Sequence, residues 1–164
     1  MYYSSLKILL EQVQEWKRGG KRVVFTNGVF DILHLGHADY LHASKSLGDI
    51  LIVGINDDAS VRKLNKGPER PINPEESRAK LVAYLGFVDA TVIFSEETPY
   101  EIIRALQPDV LVKGGDYDPN EVDVLSKKYM VGSDIVKSNG GSVIAIPLTP
   151  GFSTTAVVEK LKSK

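Results

Sequence analysis

Short, continuous apolar runs alternate along this chain with longer segments whose apolar residues recur at helical spacing. Leu6, Leu9, Leu10, Val13, Trp16 and Lys17 follow an i, i+3, i+4, i+7 pattern, which predicts an amphipathic helix over 4–18 stopped by Gly19-Gly20. KRVVFT (21–26) is β-branched and aromatic, as a strand requires. HADYLHASKSLG (37–48) reads as a helix with Leu41 and Leu47 inward and Gly48 as its stop. DILIVGIN (49–56) holds a second continuous apolar run, as expected of a strand buried on both faces.

A loop rich in Lys, Gly and Pro (62–74) follows. Asn73-Pro74-Glu75-Glu76 then offers an N-cap, a proline at the first helical position and an acid at the third, opening a helix through Leu85. ATVIF (90–94) is a third strand. Thr98-Pro99-Tyr100-Glu101 repeats the start signal for a helix through Leu106, and DVLVK (109–113) is a fourth strand. Residues 118–139 are polar and partly helical, SVIAIP (142–147) is a fifth strand, and Thr154–Lys162 closes the chain as a helix.

Strands alternating with helices at this spacing predict a parallel sheet covered on both faces. The expected fold is α/β: a Rossmann-like single domain with a five-stranded parallel sheet. Residues 1–20 form an N-terminal amphipathic helix, and 21–164 carry the rest. No repeat, low-complexity tract or interdomain linker interrupts it.

At 164 residues the chain fits one domain with a sizeable core. A formal net charge of -1 argues against a broad nucleic-acid surface, though it leaves room for a local basic pocket. The absence of cysteine removes disulfides, thiolate metal sites and thiol nucleophiles. No stretch approaches the roughly 18 apolar residues of a membrane span, and the N-terminus carries Glu11 and Glu15 without a small-residue cleavage site. The expectation is a cytoplasmic protein that binds neither membrane nor nucleic acid.

The chemistry concentrates in FTNGVFDILHLGH (25–37), where two of the chain's three histidines flank a glycine. In an open parallel sheet, ligands sit beyond the carboxyl ends of the strands, so this first loop is the place for a site. Asn27-Gly28 permits a tight turn, and Gly36 leaves room for close approach at the start of the next helix. The free amides of that helix's first turn suit a phosphate. His34 and His37 can both aim into the same anion site and stabilise charge on a phosphoryl group; the alternative is that one caps the helix and the other is a surface residue. Neither G-x-G-x-x-G nor G-x-x-x-x-G-K-[ST] occurs, which argues against a nicotinamide dinucleotide site and a phosphate-loop kinase.

Other stations carry two readings each. Asp31 is placed either to orient His34 or to cap a helix. Arg70 and Arg78 can each grip phosphate with a planar fork, although Arg78 can instead pair with Glu75. In KGGDY (113–117), Lys113 can meet a phosphate, and Asp116 a sugar hydroxyl or a metal-bound water. Gly114 lets backbone approach a nucleotide, or the segment is a plain turn. Ser153-Thr154-Thr155 is either an ordinary helix cap or an anion site built from hydroxyls and free amides.

FTNGVFDILHLGH resembles the signature of the cytidylyltransferase-like nucleotidyltransferases, whose H-x-G-H motif binds a triphosphate. The likeness extends from about Lys21 to Leu161. GINDDASVRKL (54–64), GPERPINPEESR (67–78), DVLVKGGDY (109–117) and GFSTTAVVEKL (151–161) narrow it to the adenylyltransferases of bacterial ADP-heptose synthesis, found alone or fused to a sugar kinase. Related glycerol-phosphate cytidylyltransferases carry an arginine shortly before STT, whereas this chain reads PLTPGFSTT, which fits the heptose enzymes better.

The resemblance implies catalytic roles for His34, His37 and Lys113. It implies nucleotide contacts at Thr26, Asn27, Gly28, Phe30, Asp31, Gly36, Gly114, Asp116, Ser153, Thr154 and Thr155. The sugar phosphate falls to Lys63, Lys66, Arg70 and Arg78. The reaction implied joins ATP to D-glycero-β-D-manno-heptose 1-phosphate, giving ADP-heptose and pyrophosphate. Mg²⁺ is expected to arrive with the triphosphate rather than in a cage of protein ligands. CTP with glycerol 3-phosphate or another polyol phosphate is the alternative pair, and a non-catalytic nucleotide-binding regulatory module is the alternative class. A separate chain is expected to supply the heptose kinase, and the apolar face of the first helix to support a homodimer.

Overall fold

Alternate side chains along each apolar run face opposite ways, and in the inner strands the protein buries both sets. A computed structural model describes residues 1–64, 69–115 and 117–162. Its elements are β1 (Tyr2–Tyr3), α1 (Leu6–Arg18), β2 (Val23–Gly28), α2 (Leu35–Lys45), β3 (Ile50–Asn56), α3 (Asp58–Lys63), α4 (Glu75–Ala83), β4 (Ala90–Phe94), α5 (Tyr100–Leu106), β5 (Val110–Gly114), α6 (Ser133–Ser138), β6 (Ser142–Ile146) and α7 (Thr154–Lys162). On one face of the sheet Val23, Phe25, Ile52 and Leu111 pack with Leu9 and Val13 of α1, Ile102 and Ile103 of α5, and Val136 of α6. On the other, Val24, Leu51, Val53 and Val112 pack with Leu41 of α2 and Ala79 and Val82 of α4.

The sheet has six strands rather than the expected five, in the order β1-β4-β3-β2-β5-β6, and every pairing is parallel. The extra strand is β1, whose Tyr2 and Tyr3 lie in register with Thr91 and Val92. Two residues are too few to show a period of two, so only the β4 edge reveals them as a strand. Residues 1–20 thus belong to the same sheet and core as the rest. Leu9 and Val13 on the apolar face of α1 are buried in its own domain's core.

Helix starts also depart from expectation. Asn73 is not the cap of α4: Pro74 holds that position without a side-chain bond, while the Asn73 amide donates to the Asp31 carbonyl and Glu75 accepts from the Asp58 N–H at 2.6 Å. Pro99, not Thr98, stands at the cap of α5, again without a side-chain bond. The short helix α3, capped by Asp57 on the Ser60 N–H at 2.6 Å, occupies part of what reads as loop. Among the described residues, no helix is long and apolar enough to cross a membrane.

The aspartates that precede three strands set their register. Asp49, Asp89 and Asp109 precede β3, β4 and β5, and each accepts a backbone N–H from the neighbouring strand: Arg22 (2.8 Å), Leu51 (2.7 Å) and Val23 (2.7 Å) respectively. Each also donates its own N–H back to the carbonyl of the same partner residue. These brackets lie at the amino end of the sheet, whereas the chain leaves β2 toward β3 on one side and β5 toward β6 on the other. That reversal opens a crevice at the carboxyl ends of β2 and β5. Asp109→Ala should leave the buried Val23 N–H without its acceptor and lower stability by about 1–3 kcal/mol. Urea unfolding should show this loss, while turnover per folded molecule stays within about twofold because the bracket is at the far end of the sheet from the crevice.

Candidate active site

The turn after β2 is shaped by Phe30, which adopts φ 50° and folds its ring over Gly28; a Cβ on that glycine would meet the ring at 2.9 Å. The chain then reaches His34, which caps α2 two residues earlier than the periodicity predicts. Its Nδ1 accepts the His37 backbone N–H at 3.3 Å. An accepting Nδ1 has no proton, so neutral His34 carries its hydrogen on Nε2. Burial lowers the His34 pKa below the usual histidine value, favouring this neutral tautomer. The His34 and His37 rings stack at 3.8 Å between centroids, with Phe30 5.2 Å from His37.

Both rings line a cavity of about 560 Å³, whose opposite wall is Phe152, Ser153, Thr154 and Thr155 at the start of α7. Gly36 brings the two walls together, since a Cβ there would lie 3.0 Å from the Phe152 Cβ. A smaller cavity of about 200 Å³ shares Phe30, His37, Tyr40 and Leu148 with it and reaches Gly114 and Lys113. A third, of about 410 Å³, lies beyond Asn27, Lys113 and Tyr117. Lys113 donates to the Asn27 side-chain oxygen Oδ1, and its ammonium stands 5.9 Å from the Tyr117 ring centre. Burial lowers the Lys113 pKa to about 8. The three cavities follow one another around the end of β2, histidines on one side and the lysine on the other.

Several expected residues serve the scaffold instead. Asp31 neither orients His34 nor caps a helix. It is buried, and its carboxylate accepts from Arg70 Nε and the backbone N–H groups of Ile72 (2.9 Å) and Asn73 (2.8 Å). Burial pushes its pKa up, but the Asn73 and Ile72 N–H groups and the Arg70 guanidinium outweigh this and hold it below the ordinary value. Arg70 is thereby fixed in the wall of the 560 Å³ cavity. Arg78 is 0% exposed and does not pair with Glu75: it donates to the Asn73 carbonyl (2.9 Å), the Val29 carbonyl (2.7 Å) and Asp58 (2.7 Å). The Thr26 hydroxyl is buried against the Tyr40 hydroxyl at 2.6 Å.

Lys63 is exposed and pairs at 2.9 Å with Glu97, a residue of the 410 Å³ cavity's rim. Lys66 and Asp116 lie outside the described residues. Phe152, Leu148, Thr149 and Tyr40 join the site without having been expected there. Phe152 stands one residue before the Ser-Thr-Thr run, and that adjacency is the only local hint.

A turn with two stacked histidines, set at the reversal point of a parallel sheet and facing a hydroxyl-bearing helix start, defines a nucleotide-handling α/β domain. Residues 25–160 match the profile of the cytidylyltransferase-like family, and the chain belongs to that family of nucleotidyltransferases. It is 57% identical over 144 residues to the bifunctional protein HldE of a Nitratiruptor species, covering 88% of this chain and 28% of that protein. The HldE of Wolinella succinogenes is 54% identical over 149 residues, 91% of this chain and 29% of the relative. The chain therefore spans under a third of the length of these relatives. Among solved structures, a lipopolysaccharide core biosynthesis protein from Thermoplasma volcanium is 32% identical with a TM-score of 0.60, covering 79% of this chain and 98% of that one. Pantothenate synthetase from Thermus thermophilus shares the fold at 15% identity, with a TM-score of 0.62 over 99% of this chain and 70% of that one.

Two measurements separate scaffold from site. Arg78→Ala should strip Asp58 and two carbonyls of their donor at a fully buried position and cost about 3–5 kcal/mol in urea unfolding, the behaviour of a structural residue. Lys113 should behave otherwise. Its folded pKa of about 8 means the ammonium is present at neutral pH and is lost as pH rises through that value. Pyrophosphate should therefore bind wild type more tightly than Lys113→Met at pH 7. Calorimetry should show that advantage vanishing between about pH 8 and 10 as the lysine deprotonates.

Proposed function

We propose that this domain transfers AMP from ATP to D-glycero-β-D-manno-heptose 1-phosphate, releasing pyrophosphate and giving ADP-heptose. The observation that carries the transfer chemistry is the pair His34 and His37 facing Ser153, Thr154 and Thr155 across one cavity, with Lys113 at the adjoining one. Identity of 54–57% to HldE proteins, the likeness to a lipopolysaccharide core biosynthesis protein, and the resemblance of GPERP, VKGGDY and GFSTT to ADP-heptose adenylyltransferases support heptose 1-phosphate as the acceptor. The kinase that makes the sugar 1-phosphate is a separate unit from this domain, in keeping with relatives that are named bifunctional and of which this chain matches under a third.

In this reading a sugar-phosphate oxygen forms a bond to the α-phosphorus as the bond to the bridging oxygen breaks, and the electron pair leaves with pyrophosphate. His34 donates from Nε2, and the His37 ring and the hydroxyls and amides at the start of α7 surround the departing phosphates. Lys113, held by Asn27, neutralises charge where donor and acceptor meet, and Arg70 adds a fixed cation on the cavity wall. Positioning and charge stabilisation supply the rate, with no covalent intermediate on the protein.

Mg²⁺ arriving with the triphosphate would supply further charge neutralisation. Asp31 is the sole carboxylate among the described residues lining the 560 Å³ cavity, and it is committed to Arg70, Ile72 and Asn73. No cluster of three metal-ligating side chains occurs among the described residues. In this reading phosphate oxygens and water would hold the ion, and activity should require added Mg²⁺ while the nucleotide-free protein binds it weakly.

Pyrophosphate release tests the reading. ATP with heptose 1-phosphate should exceed CTP with glycerol 3-phosphate by at least about 10²-fold in kcat/KM, because the smaller acceptor leaves pocket groups unpaired. Equal rates would overturn the heptose assignment. His37→Ala should lower kcat by about 10²–10³. His34→Asn should lose turnover similarly yet keep the helix cap, whereas His34→Ala should also lose about 1 kcal/mol of stability. Near wild-type turnover in both His37→Ala and His34→Asn would overturn the transfer mechanism.

A further inference from the structure

In-line displacement requires the acceptor to approach from the side opposite the leaving pyrophosphate. With the histidines taking the triphosphate, the 410 Å³ cavity beyond Lys113 faces that side, and its volume lies within the range of small-ligand pockets. Part of its wall comes from an unexpected segment. After Tyr117 the chain runs out through residues 118–128 and returns to put Tyr129 and Val131 on the same cavity.

The excursion is an Ω-loop whose ends are tied, the Asp118 N–H donating to the Lys128 carbonyl at 3.0 Å. Inside it, Glu121 accepts from the Val122 (2.9 Å) and Asp123 (3.0 Å) N–H groups, and Asp123 from Leu125 (3.0 Å). Lys137 of α6 braces it through the Pro119 carbonyl. Val122 and Leu125 are 80% and 89% exposed, so the loop adds nothing to the core. Its order comes from local hydrogen bonds, and its effect is to fix where Tyr117 and Tyr129 stand relative to each other. Met130, fully buried, anchors the return.

The chemistry of that wall suits a sugar. The Tyr129 hydroxyl donates to Asp134 at 3.2 Å, which directs its proton away, and beside its bond to the Ser133 side chain the phenol oxygen keeps a second lone pair to accept from a sugar hydroxyl. Its ring and Val131 offer an apolar surface to sugar C–H groups, while Asn27 and Asn56 line the same cavity with polar atoms.

We propose that Tyr129 and Val131, positioned by the 118–128 loop, are specificity-determining residues for the sugar-phosphate acceptor; this rests on the adenylyl-transfer reading above. They select among acceptors and leave nucleotide binding alone. The loop sets their spacing, so its length tunes the width of the acceptor cavity.

The test is steady-state pyrophosphate release with ATP and either heptose 1-phosphate or mannose 1-phosphate. Wild type is compared with Tyr129→Phe, Val131→Phe and a variant in which residues 119–127 are replaced by Gly-Gly. Tyr129→Phe should raise KM for heptose 1-phosphate about fivefold, the usual effect of one lost hydrogen bond. Val131→Phe should raise it at least about tenfold and lower the preference for heptose over hexose, because the added ring takes cavity volume. The shortened loop should do both, with a urea midpoint matching wild type, while KM for ATP stays within about twofold throughout. A working wild type whose three variants keep their KM for the sugar phosphate, or whose KM for ATP rises in parallel, would overturn this assignment alone. A wild type that releases no pyrophosphate with any sugar 1-phosphate would overturn the function reading and this assignment together.

Discussion

The carboxylate of Asp31 is buried beside a guanidinium and gathers a distant stretch of chain around itself. A charge in that position is tolerable only with every lone pair occupied, and Arg70, Ile72 and Asn73 supply the donors. The consequences spread outward. Asn73, held by Asp31, turns its carbonyl to Arg78, and Arg78 reaches on to Val29 and Asp58. One buried network thus ties the turn after β2 to α3 and α4, and holds Arg70 in the wall of the histidine cavity. The site's geometry depends on this network more than on the histidines, which stand on the turn that it fixes.

The two ends of the sheet divide their labour. At the amino end, Asp49, Asp89 and Asp109 bracket neighbouring strands and set the register on which the carboxyl-end geometry depends. At the carboxyl end, side chains are spent less economically. Lys113 is held where burial weakens its charge, and two imidazoles stack face to face. Arrangements of this kind cost stability and are favoured where charge must be met by preorganised groups. Substitutions at the two ends should consequently separate stability from turnover.

Much of the fold was legible. The apolar runs at 49–56, 90–94 and 142–147 marked strands within a residue or two, because short β-branched apolar runs suit a strand covered by helices. β1 was invisible because two residues carry no period. The caps at Asn73 and Thr98 were misread for a different reason: an Asn-Pro-Glu-Glu string fits a helix start, but Asp31 and Asp58 compete for the same polar atoms from elsewhere in the chain. The three aspartates preceding strands were a local signal that went unused, each standing directly before an apolar run. Within the site, the H-x-G-H turn was prominent by rarity alone. Arg78 was ambiguous because a helical arginine looks alike whether it faces a ligand or a core.

The sequence by itself determined the layered α/β class, the parallel sheet, the loop that would hold the chemistry and the histidine pair within it. These follow from periodicity, residue type and short spacing, and so are written locally. The tertiary structure decided which charged residues face the cavity and which are consumed beneath it. It set Phe152 against the histidine loop, sent Arg78 inward, turned Asp31 from a histidine partner into an anchor for Arg70, and brought Tyr129 onto the cavity that Lys113 lines, at the end of a loop with no apolar period of its own. Each of those outcomes rests on a partner dozens of residues away, and hydrogen-bond competition among buried polar groups is settled only when the chain has closed on itself.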